Sequence, residues 1–416
     1  MTAPDYKRTK FACYSSYFTM SSIFCLPPIL FMTLQNMYGI SYTLLGTLVL
    51  VNFCTQLLID LLFTAFSKKF NFKKILRTMP IITSAGLFIY ALIPTFFPNI
   101  AYLGLLIGTF IFSVAAGLSE CLLSPTIAAI PSDNPQRDMS LLHSLYGFGV
   151  VTNVAIGTVF LRIFGSENWM YLMMFFACLP IISAVLFMMS PLPNMDGGEN
   201  GAQSTQNTKK RAIGLALCVG CIFFGSCAEN AMTNWISSYM EMALGIDKTV
   251  GDILGFALFA ALLAMTRIIY ARFGKKIMPV LLWGMVGAVV CYLVAGFSTS
   301  IFPAFIACVL TGVFTSMLWP GSLIMMEEKM PSLGVAAYAL MAAGGDLGAS
   351  FAPQLMGIVV DKVKVSTFAM EMSLKWGVGV EQVGLKVAML VCSILPIIGI
   401  VVVLIAMRFF KEKKAE

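Results

Sequence analysis

The same order of sequence features occurs twice in this chain, about half its length apart. In the first copy, Gly39-Ile40 leads into an apolar run over residues 44–66, which ends in the basic segment 68–74. The second copy has the same features at nearly the same spacing, in the order Gly245-Ile246, residues 253–270 and residues 271–276. A long apolar chain built from two similar halves is typical of secondary transporters.

The composition indicates a membrane protein. Hydrophobic residues make up 59% of the 416 residues and charged residues only 11%, against about a quarter in soluble domains. The net charge of +7 does not indicate a nucleic-acid partner, because the basic residues sit at the ends of apolar runs. The 11 cysteines are scattered without metal-ligand spacing, which favours packed thiols and no metal site. No nucleotide-binding Gly-x-x-x-x-Gly-Lys-Ser/Thr loop occurs, and the polar segments are too short to hold a catalytic domain. We therefore expect neither an enzyme nor a bound cofactor, and we expect an ion gradient or the substrate's own gradient to supply the energy.

Twelve apolar segments are long enough to cross a bilayer, which needs about 20 residues. We expect spans near residues 11–35, 43–66, 77–96, 100–126, 139–163, 169–190, 212–240, 249–270, 277–297, 301–326, 334–360 and 384–408. With the N-terminus placed inside, most of the 27 lysines and arginines fall on the inner ends of these spans. This bias predicts a multi-pass protein of the cytoplasmic (inner) membrane with both termini cytoplasmic.

One polar linker divides the spans into two sets of six. Residues 191–210 are rich in Gly, Asn, Gln and Ser, which is typical of a flexible connection. The sequence therefore predicts an all-α membrane protein of twelve transmembrane helices in two pseudo-symmetric six-helix bundles. The bundles are residues 1–190 and 212–416, joined by a cytoplasmic linker over 191–211. A long outer segment, 361–383, mixes apolar and charged residues and is expected to lie partly in the membrane interface.

Six spans, a linker and six more spans make the chain similar to the major facilitator superfamily over nearly its whole length. Segments 68–74 and 271–276 resemble that superfamily's loop signature after its second and eighth helices. The second copy keeps the signature glycine, whereas the first has Asn71 at that position. The resemblance implies the major facilitator fold with alternating access, and a gating role for Arg272 and Lys275.

Three stretches resemble the fucose permease group of sugar–cation symporters within that superfamily. They are Ala115–Glu120 with Ser124-Pro125, Leu142–Gly149, and Gly225–Asn230 with Trp235–Tyr239. The resemblance implies a sugar substrate and a coupling acid on the fourth helix, at Glu120. The first-helix acid of fucose permease has no counterpart here, since Pro27-Pro28 occupies that region. Its two-carboxylate mechanism therefore does not transfer unchanged.

Glu120 is the first candidate for coupling a cation. It stands inside the fourth span, where an ionised carboxylate is costly unless it is paired or hydrated. A carboxyl that gains and loses a proton as access alternates is what a proton-driven symporter requires. Ser113, Gly117, Glu120 and Ser124 share one helical face, which predicts a face that lines a cavity. The alternative is a carboxyl tied into an interhelical hydrogen bond without a transport role.

Asp60 is the second candidate for coupling a cation. Asn52, Gln56 and Asp60 follow one another at four-residue spacing and form one polar stripe on the second span. Acids on helices two and four also resemble the cation site of the melibiose carrier group, which uses sodium, a hard cation suited to oxygen ligands. We favour proton coupling, with sodium as the alternative. A structural ion pair between Asp60 and either Arg267 or a loop lysine is the interpretation without a transport role.

The seventh span carries the best candidates for a substrate site. Glu229, Asn230 and Asn234 lie near its middle, followed by Trp235. Polar side chains can bind sugar hydroxyls while an aromatic face covers the apolar side of the ring. Trp319 in the tenth span is a second candidate platform. The alternative for both tryptophans is a packing or interfacial role.

Three further residues complete the predicted site. His143, the only histidine, opens the fifth span and is interpreted as a substrate contact, with helix packing as the alternative. Asp346 follows Gly344-Gly345 in the eleventh span and is interpreted as a gating residue. Gln354, two turns beyond it, is interpreted as a substrate contact.

The favoured function is cation-coupled import of a sugar or similar polar small molecule, by a monomer in the lipid bilayer with no nucleic-acid partner. Sodium-coupled sugar symport and export of a drug or metabolite by proton antiport are the alternatives. An exporter would have a more apolar and aromatic cavity, so the polar set Glu229, Asn230, Asn234 and Gln354 favours the importer. A membrane sensor or scaffold that kept the fold is a third interpretation, from a different functional class.

Overall fold

The computed structural model describes residues 6–66, 70–133, 135–193, 208–274, 276–330 and 335–411. Within these ranges the chain forms helices and no strand. The α-helices are α1 Lys7–Tyr38, α2 Tyr42–Phe66, α3 Phe72–Phe96, α4 Ala101–Ala128, α5 Pro135–Phe164, α6 Trp169–Met188, α7 Thr208–Ser238, α8 Lys248–Val250, α9 Leu258–Phe273, α10 Ile277–Phe297, α11 Ile301–Thr315, α12 Leu318–Lys329, α13 Val335–Lys364, α14 Thr367–Trp376, α15 Val380–Cys392 and α16 Ile394–Lys411.

Eleven helical segments among the described residues are long and apolar enough to cross a membrane. The predicted span over 334–360 corresponds to α13, a 30-residue helix that is not one of the eleven. The all-α membrane fold predicted from the sequence is confirmed.

The two copies of the sequence repeat share a backbone feature. Gly39 and Gly245 both have a φ angle of 65°, a left-handed conformation that glycine adopts without a steric cost. Gly39 ends α1, and its N–H donates to the carbonyl of Gln35 at 2.8 Å. The repeated Gly-Ile pair is therefore the turn between the first two membrane helices of each half.

Contacts divide the chain into two compact units. The first comprises residues 1–40 and 51–199, and the second comprises residues 41–50 and 200–416. At one end of the first unit, side chains of α1, α3 and α4 form a buried apolar core that includes Ala12, Leu76 and Leu123. The predicted linker 191–211 falls mostly outside the described residues, so its role stays a prediction.

In the second unit, α13 caps the first turn of α2. The backbone N–H groups of Tyr42 and Thr43 donate to the carboxylate of Asp361 at 3.3 and 2.6 Å. These N–H groups have no partner within their own helix, because the first four amides of any helix lack one. The Lys364 ammonium pairs with Asp361 at 2.8 Å and lies 5.0 Å from the centre of the Tyr42 ring. The start of α2 is thus tied to the last turn of α13.

Two π-helical segments interrupt the helices on either side of the Gly245 turn. They are Tyr239–Ala243, after α7, and Gly251–Ala257, before α9. The buried carboxylate of Asp252 accepts a hydrogen bond from the Ser237 hydroxyl. Lys248 lies 3.4 Å from Glu241 and 3.8 Å from Asp252. Charged side chains therefore link the two irregular segments.

The predicted outer segment 361–383 contains its own short helix, α14. Ser366 caps it by accepting a hydrogen bond from the N–H of Ala369, and Gly377 ends it in the left-handed conformation. Leu374 on this helix is 86% exposed. A membrane-interface position for the segment stays a prediction.

Candidate functional site

In the first unit, the polar stripe of α2 packs against α4. The Asn52 side-chain oxygen accepts hydrogen bonds from Ser113 at 2.6 Å and from Gln56 at 3.0 Å. The helices approach closely at Gly117, where a Cβ atom would lie 2.9 Å from Ile59. The expectation that Ser113 and Gly117 line a cavity is therefore wrong, because both are buried in the contact between α2 and α4. The Ser124 side chain lies outside what the structure describes.

Asp60 and Glu120 come together at the end of this stripe. Their carboxylate oxygens lie within 4.8 Å of each other. Asp60 is 8% exposed and accepts a hydrogen bond from the thiol of Cys121 at 3.2 Å. Glu120 is exposed, and the phenol of Tyr17 on α1 is close enough to interact with it electrostatically. One acid is thus buried and its neighbour is accessible.

Two carboxylates this close disfavour the state in which both are ionised. The pair can lower that repulsion by keeping a proton or by binding a small cation between its oxygens. Either process requires an accessible member, which Glu120 provides. The arrangement can therefore bind and release one positive charge.

In the second unit, Glu229 forms an ion pair with Arg267. The Nη2 atom of Arg267 lies 3.3 and 3.4 Å from the two carboxylate oxygens of Glu229. Its Nε donates to the backbone carbonyl of Ser316 at 2.9 Å. The Arg267 and Glu229 side chains are 39% and 18% exposed. Arg267 therefore pairs with an acid of its own unit, which the sequence did not predict.

The polar residues beside Glu229 differ in how accessible they are. Asn230 is half-buried, and its amide nitrogen donates to the carbonyl and hydroxyl of Ser226. Its side-chain oxygen is an acceptor that could serve a ligand. Asn234 is 5% exposed and donates to the backbone carbonyl of Asn230 at 2.9 Å. Asn230 is accordingly a better candidate ligand contact than Asn234.

The interpretation of Trp235 as a stacking platform is wrong for this conformation. Trp235 is 0% exposed, and its indole N–H donates to the carbonyl of Pro353 at 3.0 Å. Its ring packs on Tyr42 with the centroids 5.8 Å apart. Because none of the side chain is exposed, the ring offers no face on which a ligand could stack. Trp319 is half-buried, and its ring lies over Gly345, where a Cβ atom would be 2.3 Å away.

The remaining predicted residues lie on other elements. Gln354 is half-buried on α13, and its side-chain oxygen has no hydrogen-bond partner among the described residues. Asp346 is 4% exposed on the same helix. Arg272 is exposed at the end of α9, with its guanidinium 5.5 Å from the centre of the Phe273 ring. The His143 side chain and Lys275 fall outside the described residues, so their roles stay predictions.

The sequence analysis gave Arg267 the wrong acid as its possible partner, and it did not name Cys121 at all. For Arg267 a signal exists, since an arginine inside an apolar span needs an acid and a backbone acceptor within reach. The backbone acceptor can be recognised from Pro320. Proline has no N–H, so the Ser316 carbonyl lacks the helical hydrogen bond that it would normally accept. No sequence signal distinguishes Cys121 from the other cysteines of the apolar spans.

Solved structures share this fold at low sequence identity, although no curated protein sequence matches the chain. A bacterial homolog of the human lysosomal transporter Spinster has a TM-score of 0.76 and 14% identity, with 99% of each chain covered. The D-xylose-proton symporter has a TM-score of 0.72 and 13% identity, covering 94% of this chain and 96% of that one. The E. coli fucose:proton symporter has a TM-score of 0.58 and 15% identity, covering 96% and 99%.

A family model connects this fold to the sequence. The model described as Major Facilitator Superfamily matches residues 12–353, which is most of the chain. The match includes both basic segments from which the resemblance was predicted, and that prediction is confirmed. The protein is a membrane transporter, and its chain belongs to the Major Facilitator Superfamily.

Proposed function

We propose that this transporter imports a sugar or a similar polar small molecule together with a proton, by alternating access. The observation that carries the proposal is the proximity of Asp60 and Glu120, whose carboxylate oxygens lie within 4.8 Å of each other. Such a pair takes up one positive charge readily, because the uptake relieves repulsion between two neighbouring carboxylates.

The proton is favoured over sodium because of the neighbours of the two acids. Asp60 accepts from a thiol, and the nearby phenol of Tyr17 is also a hydrogen-bond donor. Sodium prefers several oxygen acceptors around it, whereas thiol and phenol groups suit a carboxyl that exchanges a proton. Sodium coupling remains the second candidate, because the two carboxylates also offer oxygen ligands.

The polar face of α7 and α9 supports a hydroxylated substrate. Glu229, Asn230 and Arg267 are partly exposed there and together offer both donors and acceptors. A sugar needs this mixture, since each hydroxyl both donates and accepts. An exporter of apolar drugs would not require such a set inside its membrane-spanning helices. The xylose and fucose symporters that share the fold are proton-coupled sugar carriers, which agrees with this proposal.

A thermal-shift screen of the purified protein tests the proposal. Neutral hexoses, pentoses and deoxysugars are added at two pH values, with sodium chloride or with choline chloride at equal ionic strength. A sugar that binds the folded state raises the apparent melting temperature. We expect that shift to be larger at the lower pH and unchanged by sodium. Stabilisation by sodium alone, erased by Asp60→Asn, would instead establish the sodium-coupled alternative.

A further inference from the structure

Arg267 holds two different elements at once. Its Nη2 contacts Glu229 on α7, and its Nε contacts the Ser316 carbonyl between α11 and α12. Pro320 lies four residues after Ser316, so this carbonyl lacks the amide donor that an uninterrupted helix would provide. The guanidinium replaces that donor, which fixes its orientation and presents its terminal nitrogens towards Glu229.

The result is a paired charge that is still partly open to a ligand. The side chain of Arg267 is 39% exposed and that of Glu229 is 18% exposed. Among the described residues, Nη1 of Arg267 makes no hydrogen bond. Asn230, the next residue after Glu229 on α7, is half-buried, and its side-chain oxygen is a further acceptor. This face therefore offers donors and acceptors while its net charge is zero.

We infer that the Glu229–Arg267 pair selects ligands by charge, accepting neutral polyhydroxyl compounds and rejecting the corresponding sugar acids. This inference rests on the proposed function and adds a substrate class to it. A neutral sugar can bond to Nη1 and to the carboxylate without separating the pair. An anionic ligand would have to compete with Glu229 for Arg267 and would leave a carboxylate without its partner in an apolar environment. That loss disfavours the anion.

Removing one member of the pair reverses the selection. Glu229→Gln leaves the guanidinium without its counter-charge, so a ligand carboxylate can take the position of the lost acid. Arg267→Gln leaves the carboxylate instead, which favours a cationic amino sugar. The double variant Glu229→Gln/Arg267→Gln has neither charge and gains neither ligand. Opposite changes in the two single variants distinguish charge selection from a general loosening of the site.

The test measures thermal shifts at neutral pH with matched ligands. The ligands are D-glucose, D-glucuronate and D-glucosamine, with D-galactose and D-galacturonate as a second pair. In the wild-type protein we expect the neutral member of a pair to stabilise and its acid to have no effect. In Glu229→Gln, the apparent affinity for the acid relative to the neutral sugar should rise about ten-fold or more. Glu241→Gln is the matched control, because it removes the same charge from the Lys248 cluster and should leave the preference unchanged.

Each outcome separates this inference from the proposed function. If the wild-type protein binds a neutral sugar but Glu229→Gln does not shift towards the acid, charge selection is wrong and sugar transport stands. If Glu229→Gln does not fold, Arg267→Gln with glucosamine decides the question in the same way. Wild-type stabilisation by the acids overturns the inference directly. A wild-type protein that responds to none of these ligands or to the wider sugar screen overturns the proposed function, and the inference falls with it.

Discussion

Asp60 and Glu120 have the same functional group but different accessibility. Asp60 is buried against the Cys121 thiol, whereas Glu120 is exposed. Under the proposed function, Glu120 exchanges the proton with water, and Asp60 supplies the repulsion that makes the proton's presence favourable. The missing first-helix acid is then no obstacle, because the second acid comes from α2.

Replacing Glu120 with glutamine should uncouple uptake from its energy source. Glu120→Gln resembles a permanently protonated acid, so we expect uphill sugar uptake in proteoliposomes to be lost. Counterflow exchange of sugar should be partly retained, because exchange needs no net proton movement. Glu167→Gln is the control, since Glu167 is an exposed acid of the same unit. Normal accumulation by Glu120→Gln would remove Glu120 from the mechanism.

At the scale of elements, the junction of α2 and α13 depends on a carboxylate cap and on close backbone contact. Burial raises the pKa of Asp361, but hydrogen bonds from Lys364 and Thr43 outweigh burial and hold the pKa below its usual value. A carboxyl with a lowered pKa stabilises the fold fully above its unfolded pKa of about 3.9. This stabilisation is lost as the pH falls through the folded pKa.

The Asp361 cap should therefore contribute stability that depends on pH. Asp361→Asn should lower the unfolding free energy at neutral pH by about 0.5–2 kcal/mol, the usual effect of losing a helix cap. The difference from wild type should shrink as the pH is lowered below about 4, because the protonated acid resembles asparagine. Thermal unfolding at a series of pH values measures this. Glu371→Gln, at an exposed acid of α14, should show no such difference. A difference for Asp361→Asn that stays constant with pH would contradict the cap.

The backbone contact at the same junction gives a second prediction at this scale. A Cβ atom at Gly357 would lie 2.3 Å from the backbone carbonyl of Tyr42, whereas nothing lies within 4 Å of one at Gly379. Because a backbone carbonyl cannot move aside cheaply, Gly357→Ala should cost about 1–3 kcal/mol. Gly379→Ala should leave the melting temperature nearly unchanged. Equal melting temperatures for the two variants would show that α2 and α13 do not pack this closely.

The sequence predicts the positions of helices and turns better than it predicts the contacts between them. The long apolar segments locate the helices, and the left-handed turn conformation requires the repeated glycine. Helices and turns therefore follow from local chemistry. The grouping of residues 41–50 with the second unit does not follow from local chemistry, because it depends on Asp361, which is far from Tyr42 in the chain. Trp235 shows the same limit, since a tryptophan in a polar stretch looks identical whether it faces a ligand or packs on Tyr42. The Asp60–Glu120 pair was predictable because acids on the second and fourth helices resemble the cation site of the melibiose carrier group.

At the scale of the whole molecule, the two compact units hold different chemistry. The first unit contains the two acids that can carry a proton, and the second contains the neutral Glu229–Arg267 pair and Asn230, which can bind hydroxyl groups. Coupled transport requires that occupation of one site change the affinity of the other, and such coupling is reciprocal. Sugar affinity should therefore rise as the pH falls, and sugar should promote proton uptake by the same factor.

The most direct test of the account is proton movement driven by sugar in proteoliposomes. A neutral sugar that stabilises the purified protein is added outside vesicles that contain a trapped pH dye and no sodium. We predict that sugar addition acidifies the vesicle interior, and that Glu120→Gln abolishes the signal while Glu167→Gln retains it. Sugar uptake that needs sodium, ignores pH and moves no protons would contradict the central claim.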